Sequence, residues 1–394
     1  MSNLNCKWAY NNLFVGTRNN VAMCCMQGRG FTAPDWKNIT DLNEWYATFE
    51  PFVKIRKEHT KSIQNTQCKR CWTYENNNSP SPRTRSNDLE YYLFGKLPDI
   101  AQVKHIEMRF SNKCNLRCRM CDANSSSQIQ NLVEELKLNG IVDNSYVNDP
   151  ITVSEFKNIN KLLDLILSCN TIETIELAGG EPFLMPEVEW LLQELVNKNK
   201  THLSIKFITN LTSTKPKVLE LLKQFKAIKI DCSIDGIEDH IEYQRYPVKW
   251  KTIERNLSYL YKNRGDNIKM AFVPCISQLN LLGLPDFINY ARVNYPDLSW
   301  GFNIVASPSY LDFRLIPLKY RTELFDKIQN IDISFLPPNK QQIYSNFFNK
   351  TIYEYRNITD SEKQELRDAI YFWDYKSSLK FLNIHPWTKE LIDE

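Results

Sequence analysis

The sequence has no run near the ~18 consecutive apolar residues that a membrane-spanning helix requires, and Met1–Tyr10 is too polar for a secretory signal peptide. Neither a membrane nor an exported protein is expected, and the cytoplasm is the expected compartment. Net charge is also scarce: 49 Lys and Arg face 46 Asp and Glu, a formal +3. So even a balance gives no electrostatic case for a nucleic acid or an anionic membrane surface as partner. Histidines number five (His59, His105, His202, His240, His385), and none falls in an H-x-H or H-E-x-x-H grouping. There is no G-x-x-x-x-G-K-[ST] phosphate loop, no G-x-S-x-G elbow, no paired-carboxylate signature and no internal repeat. The hydrophobic fraction of 42% and charged fraction of 24% belong to an ordinary globular protein. With 394 residues the chain can build a large core and more than one domain.

What the chain does have is cysteine, eleven in all. A reducing compartment rules out disulfides as their main use. Seven fall in close-set groups (24/25, 68/71, 114/118/121), which points to metal or cluster ligation. Cys169, Cys232 and Cys275 stand singly in apolar stretches and read as small core residues. The densest group is Cys114-Asn-Leu-Arg-Cys118-Arg-Met-Cys121, directly after the strand-like segment His105–Phe110. Three thiolates can hold three irons of a [4Fe–4S] cube and leave the fourth iron open to another molecule. A closed zinc site wants a fourth ligand. The next candidates, Cys169 and His202, are remote.

From Val103 to Ala306 strand-like and helix-like segments alternate, the pattern of a parallel sheet with covering helices. The expected strands are His105–Phe110, Ile172–Ala178, Leu203–Thr209, Ala227–Ser233, Ile268–Cys275 and Leu298–Val305. Expected helices are Ser126–Leu138, Phe156–Ser168, Pro186–Asn199, Lys215–Phe225, Lys249–Asn263 and Leu281–Asn294, with Gly140–Thr152 as an inserted segment. In such folds chemistry gathers where the strands end. The first strand ends at the three-cysteine loop, the second at Ala178-Gly179-Gly180-Glu181-Pro182, the third at Ile208-Thr209-Asn210 and the fourth at Ser233-Ile234-Asp235-Gly236. Gln278-Leu-Asn280 follows the fifth.

The C-x3-C-x2-C loop followed in order by GGEP, ITN and SIDG segments resembles the radical S-adenosylmethionine (radical SAM) enzymes. That resemblance implies a partial (β/α)6 barrel and an open iron that binds the amino acid end of SAM. By the same resemblance Cys114, Cys118 and Cys121 ligate the cluster. Gly179, Gly180 and Glu181 meet the SAM amino group, and Thr209, Asn210, Ser233 and Asp235 meet its ribose and carboxylate. Asn280 then lies near the adenosine. Met120 occupies a position where an aromatic residue is commoner, and can pack on the adenine.

Residues 1–100 read as a small cysteine-bearing module, 101–306 as the partial barrel and 307–394 as a helical extension. In the first, Leu13–Thr17 and Val21–Met26 flank Arg18-Asn19-Asn20 as a hairpin, Leu42–His59 reads as a helix, and Cys68-Lys-Arg-Cys71 reads as a C-x2-C knuckle. Cys6, Cys24, Cys68 and Cys71 make a four-thiolate set, with Cys25 the alternate for Cys24. Four thiolates suit zinc or a second iron–sulfur cluster. The spacing is similar to the twitch module, a shortened relative of the SPASM domain that holds an auxiliary [4Fe–4S] cluster, although that module usually follows the barrel. Asn76–Asn87 reads as a linker whose Arg83 and Arg85 line a substrate path or are solvated, the second being the favoured reading. The tail is expected to form helices at Lys319–Ile328, Asn339–Asn349 and Ser361–Leu379, its aromatics packing inward.

The resemblance implies an enzyme, oxidative or peptide- or metabolite-modifying, that cleaves SAM to a 5′-deoxyadenosyl radical and abstracts hydrogen from a peptide or small polar substrate. A flavodoxin or ferredoxin would supply the electron, and the auxiliary cluster would take up the electron left on the product radical, bind the substrate or be structural, the first being favoured. Two alternatives stand beside it: a non-enzymatic zinc-ribbon binding protein on a barrel scaffold, and a radical SAM isomerase or dehydrogenase of a sugar or nucleoside.

Overall fold

The computed structural model describes residues 4–28, 30–76, 81–87, 98–140, 159–305, 308–334, 338, 341–342, 345 and 356–392. The inserted segment from 141 to 152, residues 156–158 and most of the helix expected over Asn339–Asn349 lie outside them. The chain divides into two units. The first comprises Met1–Cys114, Leu136–Ile208 and Lys215–Lys229, and the second Asn115–Glu135, Thr209–Thr214 and Ile230–Glu394.

In the first unit the apolar run Asn12–Gly16 (β1) turns back through Asn20–Ala22 (β2) as an antiparallel hairpin, extended by Phe31–Thr32 (β3). Asn19 takes the positive φ of 52° that the turn needs, a conformation asparagine tolerates better than most residues. The other edge of β1 runs parallel to His105–Arg109 (β4), with Asn12 opposite His105 and Val15 opposite Met108. β4 pairs in parallel with Thr174–Ala178 (β5), and β5 with Ser204–Thr209 (β6). The hairpin of the cysteine-rich N-terminal segment is therefore part of the same sheet as the first barrel strands. Ile106, Met108, Ile175, Leu177, Ile205 and Phe207 are all buried. Their alternation along the strands is the period of two that puts one set of side chains on one face. Helices Ile159–Ser168, Pro186–Asn197 and Pro216–Leu222 supply apolar partners of this unit.

Three local readings change. The helix expected over Leu42–His59 is two, Leu42–Thr48 and Glu50–Thr60, broken at Phe49. Pro51 has no N–H for the carbonyl of Ala47 and its ring would strike that carbonyl in a continuous helix. The freed carbonyls are taken by the buried Arg56, whose Nη2 donates to Tyr46 O at 3.0 Å and Ala47 O at 2.8 Å, and whose Nη1 donates to Ala9 O at 3.1 Å. Second, Cys68 ends a 3₁₀ turn, Thr66–Cys68, that leads into the helix Lys69–Asn76, so the C-x2-C pair lies at a helix start and not on a free knuckle. Third, the supposed linker contains the helix Pro82–Asn87. Arg83 is buried, with Nε donating to Glu75 Oε1 at 3.0 Å and its guanidinium 5.1 Å from the Trp72 ring, while Arg85 is exposed as expected. The partner eight positions away is what composition could not reveal.

The second unit holds the end of Ala227–Cys232 (β7), Ile268–Phe272 (β8), Cys275–Ile276 (β9), Ser299–Trp300 (β10) and Asn303–Ile304 (β11). β8 pairs in parallel with β10, and β9 with β11. The fifth expected strand is interrupted at Val273-Pro274, since proline lacks the N–H that a ladder needs. The sixth is interrupted at Gly301-Phe302. A helix at Glu238–Gln244, directly after the SIDG segment, was not anticipated. The tail is helical where described: Leu318–Gln329, Asp360–Asp374, Phe381–Ile384 and Lys389–Ile392. Thr359 and Glu362 close the second of these with a capping box. Leu366, Ala369, Trp373 and Phe381 pack with Tyr243, Leu279 and Leu311, so part of the aromatic tail does face inward, although Tyr371 remains exposed.

Replacing Arg56 by Met removes three backbone-directed hydrogen bonds and takes from the Tyr46 and Ala47 carbonyls the donor that satisfies them, while Ala9 O keeps the Tyr46 hydroxyl. A loss of about 3 kcal/mol is expected, since bonds to a charged donor count ~1.5–3 kcal/mol each and are not additive. Urea denaturation of the two proteins measures it.

Candidate functional site

In the first unit the loop that leaves β4 for Cys114 lies against the loop that leaves β5. Gly180 N donates to Ser111 O at 3.2 Å and Glu181 N to Lys113 O at 2.8 Å. The approach is so close that a Cβ on Gly180 would sit 2.1 Å from Lys113 O. Gly179 adds a φ of +123°, a conformation that L side chains rarely adopt. Glu181 is fully buried, and its Oε1 accepts from Phe183 N at 3.1 Å, capping the 3₁₀ turn Pro182–Leu184. Cys114 is buried at the end of this loop.

In the second unit the continuation of the cysteine loop is fastened to the segment after the helix Glu238–Gln244. Arg119 N donates to Gln244 O at 2.9 Å and Arg117 N to Tyr246 O at 2.6 Å. The Arg119 guanidinium stands 4.5 Å from the Tyr243 ring and 5.4 Å from Tyr246. Cys118 and Cys121 are half-buried, and Met120 packs against the cluster of Tyr243 and Trp373. Asn210 Oδ1 accepts from Thr212 N at 2.9 Å, and Thr212 Oγ1 in turn donates to Asn115 Oδ1 at 3.0 Å. Thr209 is buried with its hydroxyl accepting from Leu211 N, and half-buried Ser233 donates its amide to Thr209 O.

Asp235 has its carboxylate fully engaged. Arg245 Nε donates to Oδ2 at 2.6 Å and Cys275 N to Oδ1 at 2.8 Å. Asn280 Nδ2 donates to Asp235 O at 3.0 Å and Cys275 O at 3.1 Å, while its Oδ1 accepts from Ser277 N. These two buried side chains organise the strand ends. Burial alone would strip charge from Arg245, but Asp235 and then Cys118 more than offset it and hold the guanidinium ionised.

No motif in the sequence marks an acid or base on the sheet. The structure of the first unit has a polar row: Glu107 on β4 lies opposite Glu176 on β5, which lies opposite Lys206 on β6. Lys206 Nζ is 3.1 Å from Glu176 Oε2, His105 Nε2 is 3.4 Å from the same oxygen, and Arg109 binds Glu107 at 2.7 Å. Burial works against the Glu176 charge, but Lys206 and His105 together hold the carboxyl below its ordinary range. Strands covered on both faces normally read as apolar runs, so Glu107 and Arg109, alternating with Ile106 and Met108, were the available signal.

The first unit also gathers Cys6, Cys24, Cys68 and Cys71 around one cavity, with Trp8, Gln27, His59 and Arg83 beside them. Cys25 is turned elsewhere, its thiol toward Glu107 and Arg109. Burial pushes Cys6 up to about 11, and burial with Cys6 and Cys71 pushes Cys68 up to about 12, so both are thiols at neutral pH. Donors nonetheless point at the sulfurs: the Gln27 side chain at Cys68, the Arg83 amide and the Ser81 hydroxyl at Cys71. His59, which the sequence reading set aside, has Nε2 3.7 Å from Cys68 Sγ, and burial lowers it to about 4, keeping it neutral. Among the described residues no three His, Cys, Asp or Glu side chains already stand at the spacing of a bound metal ion. Soft sulfur donors with N–H and O–H groups aimed at them fit a thiolate-bound metal or cluster.

Two measurements follow. Gly180→Ala forces Lys113 away and is expected to lower iron retention and thermal stability together, read by iron assay and melting temperature. Alkylation of Cys6 in the apo-protein, followed by mass spectrometry, should keep accelerating with pH toward about 11, whereas an ordinary thiol levels off near its pKa of ~8.5.

The family model described as the Radical SAM superfamily matches residues 108–288. An uncharacterized protein of Methanocaldococcus jannaschii is 25% identical over 230 residues, 58% of this chain and 71% of that one. The radical SAM cyclopropyl synthase TigE of Paramaledivibacter caminithermalis is 24% identical over 233 residues, 58% of this chain and 45% of that one. AlbA of Bacillus subtilis, an antilisterial bacteriocin subtilosin biosynthesis protein, is 26% identical over 138 residues, 35% of this chain and 25% of that one. The match thus spans less than half the length of the latter two. The matched region begins on β4, takes in the three-cysteine loop and ends past Asn280, the stretch on which the ordered strand-end segments lie, and on that ground residues 108–288 are assigned to the radical SAM superfamily of enzymes.

Proposed function

We propose that this enzyme abstracts a hydrogen atom from a peptide substrate, with a [4Fe–4S] cluster on Cys114, Cys118 and Cys121 and a second, auxiliary cluster on Cys6, Cys24, Cys68 and Cys71. The observation that carries the reading is the backbone junction of the GGE loop with Ser111–Lys113 inside the matched domain. When bound, the reduced cluster and SAM supply a 5′-deoxyadenosyl radical. The chain's own residues orient and shield. Gly179 and Gly180 let backbone approach the ligand, and Glu181, Thr209, Asn210 and Ser233 offer acceptors and donors to the amino group, ribose and carboxylate of SAM. Met120 lends apolar surface. Asp235 and Asn280 act indirectly, by fixing the strand ends, since their polar atoms are already engaged. The row Glu107, Glu176 and Lys206, with Arg109, gives a substrate charged partners on the sheet face.

A peptide is favoured over a sugar or nucleoside by the bacteriocin biosynthesis protein among the relatives. For the N-terminal thiols, the convergence of four sulfurs with donors aimed at them supports a cluster, and an electron role for it is the simpler assignment because all four irons then have protein ligands. A flavodoxin or ferredoxin is the proposed reductant.

Anaerobic reconstitution tests this. About eight irons per chain are expected, as two four-iron clusters require, falling to about four when Cys68 and Cys71 are both changed to Ala. With dithionite and SAM, 5′-deoxyadenosine should form and carry deuterium from a labelled peptide substrate. Protein that takes up only zinc at the N-terminal thiols removes the auxiliary cluster. Protein that never cleaves SAM removes the proposal as a whole.

A further inference from the structure

Arg245 was singled out by no motif, yet it occupies a constrained place in the second unit. It is buried, 7% exposed, and its Nε is fixed at 2.6 Å on the fully buried Asp235 carboxylate. That carboxylate is itself held by the Cys275 amide. The far edge of the guanidinium then reaches Cys118, Nη1 standing 3.8 Å from Sγ. The backbone enforces the same registration, for the residues on either side of Arg245 accept from the residues on either side of Cys118: Gln244 O from Arg119 N and Tyr246 O from Arg117 N. Arg119 adds its stacking on Tyr243 and Tyr246. Two chain segments more than a hundred positions apart are therefore locked so that one guanidinium N–H points at one sulfur.

A buried guanidinium is costly to desolvate, and one carboxylate suffices to satisfy a single edge of it. The second edge is spent on a cysteine sulfur. Arginine stays protonated under any working condition, so it presents a permanent positive charge there. Hydrogen bonds to cluster sulfurs and nearby charge are the levers by which a protein sets cluster potential. Reduction adds one negative charge to a cluster, and a fixed cation hydrogen-bonded to a ligand sulfur stabilises the reduced form.

We propose that Arg245 is a positioning residue for the cluster of the three-cysteine loop, tethered by Asp235 so that its guanidinium donates to the Cys118 sulfur and eases reduction of that cluster. This rests on the reading of Cys118 as a cluster ligand. The test uses reconstituted full-length protein, titrated potentiometrically while the electron paramagnetic resonance signal that changes on adding SAM is followed. Arg245→Gln is expected to retain iron and to move the midpoint of that signal to a more negative potential. Arg245→Lys, which keeps the charge but loses the fork, should shift it less. Asp235→Asn, which loosens the tether, should shift it in the same direction. If Arg245→Gln cannot hold the cluster, the other two variants decide. Unchanged midpoint and unchanged signal shape in the variants that hold iron overturn the proposal. Cys118→Ala separates the two readings: a SAM-responsive signal that survives it overturns the ligand assignment, whereas its loss together with unshifted Arg245 variants overturns only the role of Arg245.

Discussion

The closest constraint in the first unit is the contact between two loops, Ser111–Lys113 after β4 and Gly179–Glu181 after β5. Two backbone hydrogen bonds join them, and the space between has no room for even a methyl group. That contact fixes the start of the three-cysteine loop in this unit to the end of β5. The strands deliver both loops at the same level, because β4 and β5 pair in register from His105 with Thr174 to Arg109 with Ala178. The glycines convert that shared level into contact. Glu181, capping the next turn, keeps the second loop from unwinding away from the first. A local sequence choice, two glycines, thus becomes a tertiary restraint on a cysteine nearly seventy positions earlier.

The N-terminal cysteine segment obeys a related logic. Pro51 breaks a helix and exposes carbonyls, and Arg56 takes them while also holding Ala9 at the end of the helix Lys7–Asn11 that Cys6 precedes. Tyr46 donates to Ala9 O and Asn12 O from the same side. Asn12 opens β1, so the helix after Cys6, the break at Phe49 and the sheet share one polar junction. Cys24 follows β2 of the same hairpin. A cavity lined by thiols from residues 6 to 71 is held rigid in this way without a disulfide.

Much of this was legible from periodicity. The strand beginnings of β4 to β8 fall within two residues of where the strand-like segments put them, because the short apolar runs and the helix-period stretches between them differ in pattern. The C-x3-C-x2-C loop and the ordered strand-end segments were legible because chemistry fixes their spacing. What escaped depends on partners that only the fold brings together. Arg83 looked solvated because Glu75 and Trp72 meet it only in the fold, and Arg245 carried no signal because Asp235 and Cys118 do the same. The row Glu107, Glu176 and Lys206 could be assembled only once register was known. Proline explained two breaks that periodicity overran, at Phe49 and at Val273-Pro274.

Asp235 shows why a motif residue and its role need separate arguments. A carboxylate at a strand end is a natural partner for a ribose or an ammonium group, but both of its oxygens are already committed, one to a guanidinium and one to an amide. Breaking a buried pair of this kind leaves an uncompensated charge, and the cost is of the order of ~3–5 kcal/mol. A ligand would have to supply a better partner than Arg245 to draw Asp235 away. The carboxylate therefore acts through the guanidinium it holds, and the strand-end segment contributes to the site by directing a positive charge toward the three-cysteine loop.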